Sequence, residues 1–225
     1  MLKAILFDLD GTIAHTDTIH FSIWQSWLKK YGLNIDLSFY QQNINGRHNP
    51  DFLRQWLSEL SEEEIQQLSD EKEAYFREIA QDQLQPLIGL STLLDWLRNC
   101  QLKSAVVTNA PRSNADFMLK ALKLHDFWET VIVGEELPKA KPDPYPYQEA
   151  LRCLNIAPNE ALVFEDSPTG IYSSVGAGIF TVGISTTHSD EILSQCGAEL
   201  IIHDFSDPLL KTIGVLDNVQ NCHLL

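Results

Sequence analysis

Positive charge is scarce in this chain: 16 lysines and arginines stand against 31 aspartates and glutamates, a formal net charge of −15 over 225 residues. Such a balance excludes a nucleic-acid binder or a protein drawn to anionic membrane surfaces, since both need a basic face. Any anionic ligand must therefore be held by local positive charge. Cysteine is sparse too, and Cys100, Cys153, Cys196 and Cys222 are too scattered for a zinc motif or a disulfide framework, so reduced thiols are expected. Long apolar runs are missing. No stretch approaches a membrane span, and Asp8-Leu9-Asp10 interrupts the N-terminal apolar run where a signal peptide would need its core. Repeats and low-complexity segments are also absent. What remains is a soluble, cytoplasmic, monomeric protein in expectation, with 44% apolar residues to build a core.

The most informative segment is Phe7-Asp8-Leu9-Asp10-Gly11-Thr12, directly after the apolar run Ala4-Ile5-Leu6. A buried strand that ends in two carboxylates and a glycine has stopped serving the core and begun to present charge. In open parallel sheets ligands gather beyond the carboxyl ends of the strands. Residues two apart point the same way in extended chain, so Asp8 and Asp10 can share one small volume. Two carboxylates held that close resist ionising together and call for a cation, a shared proton, or both. A helix cap or a hairpin turn is the plainer alternative for Asp-Gly.

Short β-branched runs at 4–9, 103–108, 130–133, 161–164, 179–183 and 199–202 alternate with helical patterns at 90–100, 114–123, 145–154 and 168–175. This rhythm predicts an α/β fold: a Rossmann-like parallel sheet flanked by helices on both faces. Between the first and second strands, residues 16–85 show no convincing strand. Ile19, Ile23, Trp24, Trp27 and Leu28 recur at helical spacing with Gly32 as the stop, further helices are expected at 37–44 and 51–60, and Ser61 with Glu64 forms a capping-box signal that opens a long polar helix. The expected organisation is a core of residues 1–15 and 86–216, an inserted all-helical domain at 16–85 whose tryptophans pack its own core, and a tail at 217–225.

Three more strand ends carry chemistry. Thr108-Asn109 offers a hydroxyl and an amide suited to a phosphate oxygen, although a threonine there is usually only a turn former. Lys141 sits in the proline-stiffened run Lys139-Ala140-Lys141-Pro142-Asp143-Pro144, where a fixed ammonium can neutralise a phosphoryl group. Glu165-Asp166 ends a strand in paired acids, followed by Ser167 as N-cap and Pro168 at the first helical position. Mg²⁺ prefers oxygen ligands, and Asp8, Asp10 through its backbone carbonyl and Asp166 make a partial shell with Glu165 at or just outside it.

In that order, Asp8-Leu9-Asp10-Gly11-Thr12, Thr108-Asn109, Lys141 and Glu165-Asp166 resemble the four signature motifs of the haloacid dehalogenase superfamily, and the resemblance spans nearly the whole chain. The helical insert resembles the cap of its phosphatase and β-phosphoglucomutase branch. Asp17-Thr18-Ile19-His20, Asn45-Gly46-Arg47-His48-Asn49 and Asp70-Glu71-Lys72-Glu73-Ala74 are similar to plant-type broad-range sugar-phosphate phosphatases. His15 departs from the pattern, which often has an acid there.

The resemblance implies a Mg²⁺-dependent phosphatase for a small sugar or polyol phosphate, working through an aspartyl phosphate on Asp8. Asp10 would act as acid and then base, with Lys141 and Thr108 balancing charge and Asn109, Arg47 and His20 contacting substrate. A phosphohexomutase sharing the same intermediate is the alternative. A catalytically inactive regulatory protein is disfavoured because every motif residue is in place, and dehalogenation is disfavoured by the presence of Asp10.

Overall fold

The structure is a computed structural model that describes residues 1–216; the expected tail at 217–225 lies outside the described residues. The chain divides into two compact units, Thr16–Leu84 and the remainder, Met1–His15 with the chain from Gln85 onward. None of the helices described is long and apolar enough to cross a membrane.

The larger unit opens with β1 (Ala4–Phe7). The smaller unit follows it in sequence as four helices, α1 (Asp17–Leu28), α2 (Leu37–Asn43), α3 (Asn49–Trp56) and α4 (Glu62–Ala80). The larger unit resumes with α5 (Leu90–Asn99), β2 (Lys103–Thr108), α6 (Arg112–Ala121), β3 (Thr130–Val133) and α7 (Tyr145–Leu154). It continues with β4 (Ala161–Glu165), α8 (Pro168–Gly176), β5 (Phe180–Ile184), α9 (Asp190–Gln195) and β6 (Leu200–Ile202).

The six strands among the described residues all run parallel in the order β3-β2-β1-β4-β5-β6. The chain builds outward from β1 on one side and then returns to place β4 on the other. β1 and β4 therefore flank the point where the winding reverses, and such a switch point opens a crevice at the strands' carboxyl ends. Phe7 pairs with Val106 and with Phe164, so Asp8, Thr108 and Glu165 come out at one edge of the sheet.

Alternation along the strands decides what each face does. Ala4 and Leu6 of β1, Ala105 and Val107 of β2 and Val163 of β4 pack on Tyr147, Ala150, Leu151 and Leu154 of α7. The opposite parity sends Phe7 and Phe164 against Phe205, with Trp128 edge-on to Phe7 at 5.3 Å between ring centres. The expected first strand, 4–9, is longer than the observed one. It stops at Phe7, although Asp8 N–H still reaches Phe164 O at 3.0 Å, because the chain turns through Gly11 at φ +78° and closes Gly11 N–H onto Ala14 O.

In the helical unit, Gly32 ends the first helical stretch in the left-handed region at φ +77°, and Ser61 with Glu64 forms the expected reciprocal box at the start of α4. The third helix begins at Asn49 rather than Asp51, since Pro50 fits the first helical turn where no N–H bond is lost. Trp24 is fully buried among Leu28, Tyr40, Phe52, Leu53 and Ile65, and Trp27 packs at the margin. Trp56, by contrast, is 37% exposed. The helix expected to be polar buries Lys72 and Glu73 next to each other. Cys153 and Cys196 carry free thiols. Cys100 takes part in a disulfide, which corrects the expectation of a reduced thiol there.

Candidate active site

Period-two alternation puts Asp8 on the face of β1 that Leu6 occupies, and Glu165 on the face of Val163, so both carboxylates approach the end of the sheet from the side covered by α7. Lys141 meets them there. Its Nζ donates to Asp8 Oδ1 at 2.7 Å and to Glu165 Oε1 at 2.5 Å, across 133 and 24 residues of sequence. All three groups are buried, at 7%, 0% and 7% exposure for Asp8, Glu165 and Lys141. Charges so far from water persist only when paired and hydrogen-bonded.

The loop that delivers Lys141 is held by Asn109. Its side-chain Nδ2 donates to Lys141 O at 3.0 Å while Lys141 N–H donates back to Asn109 Oδ1 at 3.1 Å. This paired amide clamp fixes the lysine backbone to the end of β2. Thr108 Oγ1 accepts from Ala110 N–H at 2.9 Å and is buried beside it.

Glu165 is the most heavily bonded carboxylate of the group. One oxygen takes the ammonium and the Tyr147 hydroxyl at 2.9 Å; the other takes the N–H groups of Asp166 and Ser167 and the Ser167 hydroxyl. Gly170 leaves room for it, since a Cβ there would fall on the carboxylate itself. Ser167 also caps α8 by accepting from Gly170 N–H, as its place before Pro168 suggests. Lys141 in turn lies over the Tyr147 ring, 5.1 Å from its centre.

The electrostatics follow from burial and the ratio of charges. Burial first, and Glu165 second, push the Asp8 carboxyl from 3.8 up to about 7, while Lys141 pulls it down. Burial would lower the Lys141 ammonium, yet Asp8 and Glu165 outweigh it and hold that group above its ordinary value. Burial and then Glu165 raise the Tyr147 hydroxyl, so it remains a donor. The cluster carries more negative than positive charge.

Asp8, Glu165 and Asp166 each bring a carboxylate oxygen within 4.8 Å of the others, the oxygen-only donor set that suits a hard divalent cation. With Glu165 occupied by five hydrogen bonds, Asp8 and Asp166 are the better placed pair to hold one. Asp10 follows at the turn, in a bridge with Ala14, and its charge adds to the pressure on Asp8.

The family model described as haloacid dehalogenase-like hydrolase matches residues 5–184. This chain belongs to that family. Among relatives of the haloacid dehalogenase-like chain is a validoxylamine A 7'-phosphate phosphatase of Streptomyces hygroscopicus subsp. limoneus, 30% identical with 95% of this chain and 99% of that protein covered. Another is a phosphorylated carbohydrates phosphatase of Thermotoga maritima, 26% identical over 89% and 94% of the two chains. Among solved structures, a β-phosphoglucomutase of Clostridium difficile superposes with a TM-score of 0.83 at 25% identity, covering 95% and 96% of the two chains.

Of the residues singled out from the sequence of this haloacid dehalogenase-like protein, Asp8, Asp10, Thr108, Asn109, Lys141, Glu165 and Asp166 all belong to the larger unit. Arg47 and His20 belong to the helical unit. There Arg47 is exposed and reaches Gln55 at 3.4 Å. His20 stacks on Phe76 at 4.0 Å between ring centres, and its Nδ1 accepts from Lys72 Nζ at 2.7 Å, because an ammonium has only donors. Lys72 also pairs with Glu73 at 2.7 Å, and Glu73 accepts from Asn49. Sequence reasoning passed over Tyr147, which reads as one more apolar position of α7, and Thr186 and Thr187. The last two carry a signal close to that of Thr108, a hydroxyl at or just past a strand end.

Proposed function

We propose that this enzyme is a Mg²⁺-dependent phosphatase that hydrolyses small sugar or polyol phosphate monoesters through an aspartyl phosphate on Asp8. The observation that carries this reading is the ammonium of Lys141 bridging Asp8 and Glu165 beside Asp166, at the switch point of the sheet. Three carboxylates share one fixed ammonium there, and the oxygen donors of Asp8 and Asp166 fit Mg²⁺ as a second cation. When bound, Mg²⁺ supplies electrostatic stabilisation of the transferring phosphoryl group.

The protein's own groups divide the remaining work. Asp8 attacks phosphorus in line; the P–O bond to the sugar breaks as the bond to the Asp8 carboxylate forms. Lys141 takes no part in proton transfer and balances charge on the phosphoryl oxygens, with Thr108 able to donate its hydroxyl. Asp10 gives its proton to the leaving alkoxide and then takes one from the water that opens the acyl phosphate, a form of help that contributes typically ~10²- to 10⁴-fold. Asn109 holds Lys141 in register for this through the paired amide clamp.

The relative named for phosphorylated carbohydrates supports the substrate class, and the one named for validoxylamine A 7'-phosphate supports a small phosphate ester. A relative named β-phosphoglucomutase, 26% identical over 94% of each chain, favours a second reading in which Asp8 returns the phosphoryl group to a sugar. One screen separates them: release of inorganic phosphate from sugar, polyol and nucleotide monophosphates, with Mg²⁺ and with EDTA. Phosphate release confined to Mg²⁺ and strongest on sugars or polyols supports hydrolysis. Isomerisation of β-glucose 1-phosphate without phosphate release overturns it in favour of the mutase, and turnover undiminished by EDTA overturns the metal assignment.

A further inference from the structure

A fourth segment, the loop after β5, reaches the acidic cluster and has no place in the four motifs. β5 pairs with β4 so that Gly183 lies beside Glu165, and the chain past each strand end runs out next to the other. Thr187 is 4% exposed, and its Oγ1 lies 2.6 Å from Asp166 Oδ2 and 2.8 Å from Asp166 O. A hydroxyl has one hydrogen to give. The carboxylate oxygen is both nearer and charged, so it takes the hydrogen, and the short distance is that of a charge-assisted bond. His188 Nδ1 stands 2.9 Å from the same Oγ1.

The neighbouring residue makes a matching tie. Thr186 Oγ1 donates to Gly11 O at 2.6 Å and so fastens the turn that follows Asp8 and Asp10. Asp166 and Thr187 also close over that turn: a Cβ on Gly11 would come within 2.1 Å of Asp166 Oδ2 and 3.1 Å of Thr187 Cγ2. Adjacent threonines thus join the first and fourth motifs through one loop. Neither serves as the cap of α9, which is Ser189.

We propose that Thr187 is a positioning residue that sets the orientation of the Asp166 carboxylate for the divalent cation. Asp166 shares its surroundings with two further carboxylates, and like charges drive an untethered side chain to rotate away. The Thr187 hydroxyl holds one oxygen in place before any cation arrives, so the binding site needs less reordering. Groups that orient a metal-bound carboxylate in this way typically change metal affinity by ~10- to 100-fold when removed. Thr186 fastens the Gly11 turn through its carbonyl.

This inference rests on the proposed cation site, and calorimetric titration of the whole chain with Mg²⁺ alone tests the two separately. Thr187→Val keeps the shape and removes the hydroxyl, and its Mg²⁺ dissociation constant should rise by about 10-fold or more. Thr187→Ser restores the hydroxyl and should come within about threefold of the unaltered protein, which a purely packing role would not produce. Thr187→Ala gives a second measurement should the valine not fold, with the same loss expected. Unaltered Mg²⁺ affinity in Thr187→Val or Thr187→Ala, or a serine variant as weak as either, overturns the role of Thr187 alone. Failure of the unaltered protein to bind Mg²⁺ overturns the cation site itself.

Discussion

Replacing Lys141 by methionine removes one ammonium while keeping most of the stem that packs over Tyr147. Glu165 then stays fully buried without its cation, facing Asp8 across the space the ammonium filled. Breaking a buried pair by deleting one partner costs roughly 3–5 kcal/mol. Glu165 retains the Tyr147 hydroxyl, the Ser167 hydroxyl and two backbone N–H donors, so the loss should fall near the lower bound, about 3 kcal/mol. That is a factor of more than ~10² in the folding equilibrium, a large share of the 5–15 kcal/mol typical of a whole domain. Urea denaturation at pH 7 in EDTA, so that no added cation substitutes for the ammonium, measures it. Repeating the experiment at pH 4 should shrink the difference, because the Asp8 carboxyl, pushed up to about 7, is then protonated and no longer needs a countercharge. Lys139→Met is the control: that lysine is 64% exposed in its pair with Asp143, and solvent screens what it contributes. Loss below about 1 kcal/mol at pH 7, or an equal loss at both pH values, would refute the view that Lys141 neutralises the cluster.

Three further outcomes are expected. Asp8→Asn should abolish phosphate release while circular dichroism stays that of the unaltered protein, because an amide is no anionic nucleophile; retention of more than a trace of Mg²⁺-dependent turnover contradicts it. In Asp10→Asn, single-turnover phosphorylation should fall by ~10²-fold or more with sugar phosphates and much less with p-nitrophenyl phosphate, whose leaving group needs no proton. Equal losses for both substrates would remove Asp10 from the acid role. In the helical unit, burial opposes the charge of Glu73, but Lys72 and further partners prevail and bring its carboxyl down from 4.5 to about 2. A depressed carboxyl stabilises the fold above the unfolded value and loses that contribution as pH falls from about 4.5 toward about 2, roughly 3 kcal/mol in all. Acid unfolding of Glu73→Gln should therefore start from lower stability at neutral pH and show a flatter dependence across that window; an unchanged profile would count against the buried pair.

Much of the site was legible because strand ends announce themselves locally. An apolar run that breaks into Asp-x-Asp-Gly, or into Glu-Asp-Ser-Pro, states its period, its end and its charge within six residues. Parallel strands then gather such ends on one edge whatever their separation in the chain. The capping box of α4 and the stop at Gly32 were legible for the same reason, as each is a contact between near neighbours. The end of β1 was less so: alternation alone extends the strand to Leu9, and only the closed turn at Gly11 ends it at Phe7.

By itself, then, the sequence determined that an α/β sheet would carry carboxylates and a lysine at its strand ends, with a helical block between the first and second strands. Tertiary structure alone decided what those groups do to one another. Lys141 reads as a fixed ammonium for a phosphoryl group, but its pairing with Asp8 across 133 positions is not in the sequence, and Glu165 reads as a cation ligand until Tyr147, Ser167 and the ammonium occupy both its oxygens. Thr187 draws no notice in the sequence until it is found against Asp166. Local patterns follow from backbone geometry, which each residue carries with it. Desolvation and hydrogen-bond partnership depend on which distant atoms share a volume, and folding sets that.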